Sequence, residues 1–243
     1  MSPMMIGLLL DALGETLTMV GVAGALAALL GIPLGVLLVV CGEGHVLENR
    51  PLARLLGALV TATRSTPFII LLVAIIPLTR LIVGTAIGTA AAIVPLTIAA
   101  IPFVARLTET ALREVDPGLI EAAQAMGASP GQVVRKVLIP ESWPGIIAGL
   151  TITVVSLVGY SAMAGAVGGG GLGDLGIRYG YQRFQPEVMA AVVVVLILLV
   201  QGFQSLGDLL ARTAAGRGRR CLRGRSRRSV GATCRNVCCR AGA

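Results

Sequence analysis

The sequence predicts an all-α membrane protein with five transmembrane helices. Three observations carry this. Charged residues make up 13% of the chain and apolar residues 55%, about half the charge a soluble domain carries. Charge this sparse cannot cover a globule of 243 residues, whereas lipid can. Apolar runs approach or exceed the ~20 residues that cross a bilayer. The basic residues between those runs lie mostly on one side of the layer.

The first span is predicted at 16–41, interrupted only by Pro33, which neighbouring membrane helices tolerate. Glu15 stands at its outer edge. A short polar loop follows, with Glu43, His45, Glu48 and Arg50, and 51–63 reads as a mildly amphipathic interfacial stretch. The second span, 65–78, is short and contains Pro67 and Pro77, with Arg64 and Arg80 at its ends. The third runs over 82–104 with Pro95 and Pro102. The fourth covers 146–167. The fifth, 188–210, holds the most apolar run in the chain.

Five spans place the termini on opposite sides. With the amino terminus outside, the inner segments hold Arg50, Arg54, Arg64, Arg106, Arg113, Arg135 and Lys136, and the outer ones hold Arg80, Arg178 and Arg183. Basic residues favour the cytoplasm, so the carboxyl terminus is expected inside. Ten of the 20 basic residues lie at or after Arg212, where no acid occurs. The net charge of +8 is therefore a property of the tail. Nucleic-acid binding would need a basic folded face, and none is expected.

The tail, 213–243, is rich in Arg, Gly, Ser and Cys and is expected to be disordered. A polybasic stretch beside a membrane is also suited to anionic lipid. Cys221, Cys234, Cys238 and Cys239 have no His neighbour and no paired C-x-x-C knuckles, so neither zinc nor a disulfide framework is expected. Cys41 reads as a small packed residue. The first apolar run is long and lacks a basic leader, so no cleavable signal peptide is expected. One His in the chain assembles no Ser-His-acid or metal constellation, and no catalytic or metal site is predicted. Gly168 to Gly171 lacks the Lys-Ser/Thr of a phosphate loop and reads as an outer loop.

The loop over 105–145 is more than a connector. Glu109 and Arg113 form an i,i+4 pair in the favourable order. Asp116-Pro117 reads as an N-cap followed by Pro at the first helical position. A short helix over 117–126 follows, closed by Gly127 as a left-handed C-terminal residue. Ser129-Pro130 repeats the signal for a second helix running to Pro140, after which Trp143 and Pro144 lead back to the membrane. Two sets of caps point to a docking surface.

The residues of this loop resemble a known family. Glu121-Ala122-Ala123, then Gly127, then Val137, Ile139 and Pro140 are similar to the EAA loop of ABC importer permeases, with Val137 and Ile139 as conservative departures. Arg64-Ser65-Thr66-Pro67-Phe68 resembles an element of amino-acid permeases. The stretches at 82–85, 91–97 and 157–163 and the Gly-rich 165–176 resemble the methionine importer permeases. The likeness covers roughly 5–212, leaving a permease domain over 1–212 and the tail outside it.

The resemblance implies a type I ABC importer permease in the bacterial inner membrane. It implies a homodimer, an ATP-binding partner subunit that alone binds ATP and Mg, and an external substrate-binding lipoprotein. Glu121, Ala122, Ala123, Met126, Gly127 and Pro140 would then contact the ATPase, which drives alternating access for D- and/or L-methionine. Tyr160, Ser161, Met163 and Arg64 are the candidates for the substrate pathway, and Glu15 is a second ionisable candidate. An ABC permease for another amino acid or small solute is the alternative. A secondary transporter would call for buried mid-span acids and often an inverted repeat, and neither is evident.

Overall fold

The computed structural model describes the backbone of residues 3–42 and 50–238 and the side chains of 4–42 and 50–214. Among the described residues every regular element is helical. Four of the described helices are long and apolar enough to cross a membrane, or five crossings if the bent pair of 50–65 and 68–74 is one span. His45 and the loop around it lie outside the described residues, as do the side chains of the four tail cysteines.

Helix α1 spans Pro3–Val40, about 57 Å at 1.5 Å per residue. It starts well before the expected 16, so Glu15 lies inside the helix rather than at its edge. The extra turns are held by packing. Met5, Leu8, Leu9, Ala12 and Leu13 meet Leu172, Leu175, Val188 and Val192 at the amino-terminal end of α1.

The expected second span, 65–78, is not one helix. Helix α2 (Arg50–Ser65) meets α3 (Phe68–Ala74) at 103°, and α4 (Ile76–Val83) follows. Pro67 explains the break: it cannot donate to a preceding carbonyl, and it drives Thr66 out of the α region. On α2, Leu56 and Val60 pack against Leu34 and Leu38 of α1 and Ala105. Helix α3 has seven residues, about 10 Å, too short to cross alone.

Helix α5 covers Thr89–Arg113. The expected third span, 82–104, therefore begins too early: 82–83 close α4, and 84–88 form a turn in which Gly84 has φ 83°. α5 is the centre of the bundle, with α1, α2 and α8 packed on it. Two glycine seams allow the approach. A Cβ on Gly31 would lie 2.7 Å from Val104 Cβ, and one on Gly35 would lie 2.5 Å from the Ala105 carbonyl oxygen. On the other side, Gly145 and Gly149 meet Ala111 and Leu107. Small residues four apart let membrane helices gain close packing that lipid alone cannot supply.

Helix α6 is Pro117–Ala125, α7 is Pro130–Val133, and a π turn over Val134–Leu138 joins α7 to α8, Ile139–Ala166. The expected second loop helix and fourth span are thus one continuous rod, Pro130–Ala166. Pro140 and Pro144 sit within it instead of leading back as a loop. The π turn has a physical cause: the Pro140 ring would clash with the carbonyl four residues earlier, and widening the turn relieves it. The amide of Ile139 accordingly bonds the Val134 carbonyl, five residues back.

Helix α9 (Gly171–Leu175) continues through a π turn, Gly176–Tyr181, and α10 runs over Pro186–Cys238. The fifth span lies in α10 as expected. The backbone continues as helix through 213–238, where composition predicts a disordered tail.

Candidate docking loop and membrane pathway

The loop is built as its caps foretell. Asp116 Oδ1 accepts a hydrogen bond from the Gly118 amide at 2.9 Å, and Pro117 opens α6. At the other end Gly127 has φ +79°. Its amide donates to the Gln124 carbonyl at 2.9 Å, and the Ala128 amide donates to the Ala123 carbonyl at 3.1 Å. These are the two bonds of a Schellman cap. The Ser129 amide then donates to Gln132 Oε1 at 3.1 Å, so the chain reverses between two capped helices within four residues.

α6 is anchored on one face and bare beside it. Ile120 packs on Val39, Leu112 and Leu138. Ala123 is 5% exposed, so it seats the helix and is not part of the outward surface. Leu119, Ala122 and Met126 form an exposed stripe that flanks the buried face, and Met126 is 81% exposed. Glu121, Gly127 and Pro140 are exposed as well. A stripe of Leu, Ala and Met left bare beside a glutamate has the chemistry that suits a protein contact. Leu119 was missed by sequence reasoning; its i,i+3,i+7 spacing with Ala122 and Met126 is the signal that finds it.

The pathway candidates separate. Ser161 is 3% exposed, and its hydroxyl donates to the Val158 carbonyl at 2.8 Å, so it faces the core. Tyr160 is half-buried and stacks on Phe68 with ring centroids 4.7 Å apart. Met163 is 49% exposed, on an open stripe of α8 with Ile152, Gly159 and Val167. Arg64 closes α2 just before the bend, its guanidinium 5.5 Å from the centre of the Phe103 ring. The structure brings Phe68 and Tyr160 together; it leaves Ser161 out of the open face.

Toward the amino-terminal end of α1, the Glu15 carboxylate accepts from the Gly171 amide at 2.6 Å, and Thr16 Oγ1 accepts from the Leu172 amide at 2.9 Å. Two side chains of α1 thus cap α9. Gly171 has φ +76°, and a Cβ there would meet Thr16 Oγ1 at 2.7 Å. The Gly-rich loop is therefore closely packed. The sequence singled out Glu15 but gave no sign of this partner, 156 residues away.

A sequence-family model described as "Binding-protein-dependent transport system inner membrane component" matches residues 31–215. The chain is 62% identical over 205 residues to the probable D-methionine transport system permease protein MetI of Vibrio cholerae, covering 84% of this chain and 91% of that protein. It is 54% identical over 165 residues to the D-methionine transport system permease protein MetI of Escherichia coli, covering 68% and 76%. Among solved structures, a chain of the MetNI methionine ABC transporter in an inward-facing conformation superposes with a TM-score of 0.86 at 52% identity, covering 88% of this chain and 99% of that one. An amino acid ABC transporter solved with histidines superposes with a TM-score of 0.72 at 21% identity, which speaks for the fold alone.

Proposed function

Since the chain belongs to the family of binding-protein-dependent transport system inner membrane components, we propose that it is the multi-pass inner-membrane permease subunit of an ATP-driven importer. Its cargo is methionine, in the D form, the L form or both, in keeping with the relatives' names. The observation that carries the reading is the exposed stripe of Leu119, Ala122 and Met126, left open beside Ile120 and Ala123, which the bundle has already buried. A capped, rigid helix presented this way suits a groove on an ATP-binding partner. The partner binds ATP and Mg and performs the hydrolysis; this chain contributes no catalytic group.

Two copies of the chain surround the pathway, and an external binding protein delivers the substrate to the outer face. The amino terminus lies outside and the carboxyl terminus in the cytoplasm, as the basic residues favour. The open stripe of α8, with Gly159 and Met163, borders the route, and Tyr160 stacked on Phe68 backs it. Arg64, at the break between α2 and α3, borders its inner half. The residues for the ATPase contact are Glu121, Ala122, Met126, Gly127 and Pro140, with Leu119 added and Ala123 as their support.

Reconstitution tests the reading. Vesicles carrying this chain with its ATP-binding partner, supplied with loaded binding protein, should accumulate labelled methionine only when ATP is present on the partner's side. Uptake that follows an ion gradient without ATP would sink the proposal. Uptake of another amino acid in preference to methionine would keep the importer and change its cargo.

A further inference from the structure

Of the eight aromatic residues in the chain, three are exposed: Trp143, Tyr181 and Phe184, at 46, 69 and 85%. The other five are buried or half-buried. The exposed three lie at opposite ends of two packed helices. Gly207 of α10 sits against Thr151 of α8, and Val188 and Val192 of α10 sit against Leu172 and Leu175, which Gly173 holds beside Ala162. α8 and α10 are therefore antiparallel, with Trp143 at one end and Tyr181 and Phe184 at the other. Trp143 lies eight residues from Thr151 along α8, and Pro186 lies 21 residues from Gly207 along α10. End to end this is about 43 Å at 1.5 Å per residue. A bilayer with its headgroups is about 40–45 Å thick.

The backbone holds the corner at 181–185 in place. Gly176 lies against Val192 and Gly180 against Met189, so the π turn after α9 runs back along the start of α10. The chain then reverses: the Phe184 amide donates to the Tyr181 carbonyl at 3.4 Å, and the Gln185 amide donates to the Tyr179 carbonyl at 3.2 Å. Phe184 has φ 52° and is the one non-Gly residue at positive φ among the described residues. A bulky L-residue adopts this conformation only at a cost. The ring gains no core packing in return, since it is 85% exposed. Beside it, the Arg183 guanidinium lies 4.6 Å from the centre of the Tyr179 ring, which places a cation at the same corner.

A docked protein would account for exposed rings at one end only. The headgroup layers account for both, because Trp and Tyr gather at the two membrane–water interfaces, where the ring leaves water and its N–H or O–H stays wet. Between the two ends α10 leaves Val193, Val194, Ile197 and Leu198 open, an apolar stripe that this chain does not cover. We propose that Trp143 at one end, and Tyr181 with Phe184 at the other, are seated in the two headgroup layers and fix the height of the bundle in the bilayer. Pro130 then lies about 20 Å beyond Trp143 along the same rod, which carries the docking loop clear of the lipid. The assignment holds whichever end is cytoplasmic and whatever the cargo.

Trp143 is the only tryptophan in the chain, so its fluorescence reports one end without any substitution. The test uses the full chain reconstituted in phosphatidylcholine vesicles. Trp143→Phe/Phe184→Trp moves the probe to the other end. Each protein is quenched in turn by lipid carrying a nitroxide on its headgroup, by lipid carrying it near the end of an acyl chain, and by acrylamide in the water. Both probes should lose more fluorescence to the headgroup nitroxide than to the deep one. A Trp143 signal that acrylamide reaches and neither lipid does would overturn the proposal even if the double variant fails to insert. So would equal or greater loss to the deep nitroxide at either position. A Phe184→Trp signal that acrylamide alone reaches, and that loaded binding protein shields, would make the corner a protein-docking surface and overturn its lipid assignment.

Discussion

Replacing Gly127 tests the docking loop most directly, because the structure separates two ways in which a side chain could do harm. Gly127 has φ +79°, and a Cβ built there meets nothing within 4 Å. A Cβ therefore meets no clash among the described residues, and its cost is conformational. An L-residue held in the left-handed region loses about 1–2 kcal/mol, most for a β-branched side chain. In Gly127→Val the cap relaxes, the bond from the Ala128 amide to the Ala123 carbonyl weakens, and α6 tilts. If that cost falls on docking, partner occupancy or coupling drops by about 5- to 30-fold. Gly127→Asn is the control, since asparagine adopts this conformation readily. The assay is purification of the complex followed by subunit retention, ATP hydrolysis stimulated by loaded binding protein, and vesicle uptake. Membrane insertion should be normal in both variants. A Val variant that matches the unaltered protein in all three would refute the reasoning. An Asn variant as damaged as Val would show instead that bulk against the partner, not backbone conformation, decides the effect.

Gly35→Ala places a methyl 2.5 Å from the Ala105 carbonyl oxygen, so α1 and α5 must part; the expected loss is about 1–3 kcal/mol, seen as a lower melting temperature in detergent. Gly24→Ala, whose methyl would make an ordinary 3.7 Å contact with Leu157, should melt like the unaltered protein. Glu15→Ala leaves the Gly171 amide without its carboxylate acceptor and should weaken the outer cap by about 1–3 kcal/mol. Hydrogen exchange over 165–176 should quicken at least about fivefold, whereas Glu15→Gln, which keeps an acceptor, should change less. A cytoplasmic reporter should be active when fused after Arg212 or within 116–140 and silent near Gly170; activity at Gly170 would reverse the orientation. Truncation after Ala215 should leave assembly and uptake nearly intact, and a large loss of uptake at normal expression would give the tail a working role.

The sequence by itself determined the class, the approximate apolar helices and the capped form of the 116–130 loop, because each depends on neighbours along the chain. Runs of apolar residues long enough to span are local facts. So are Asp116-Pro117, Gly127 and Ser129, and the structure forms their caps where the residues place them. The tertiary structure alone decided what faces what. In a membrane the lipid side and the protein side of a helix are both apolar, so periodicity does not tell Ser161, buried, from Met163, open. It also does not show that Ala123 supports α6 while Met126 is bare. The 103° bend after Ser65 and the capping of α9 by Glu15 and Thr16 depend on helices that meet only after folding. A carboxylate on one span finds its backbone donors on a segment 156 residues away, and no local pattern in either segment specifies that meeting.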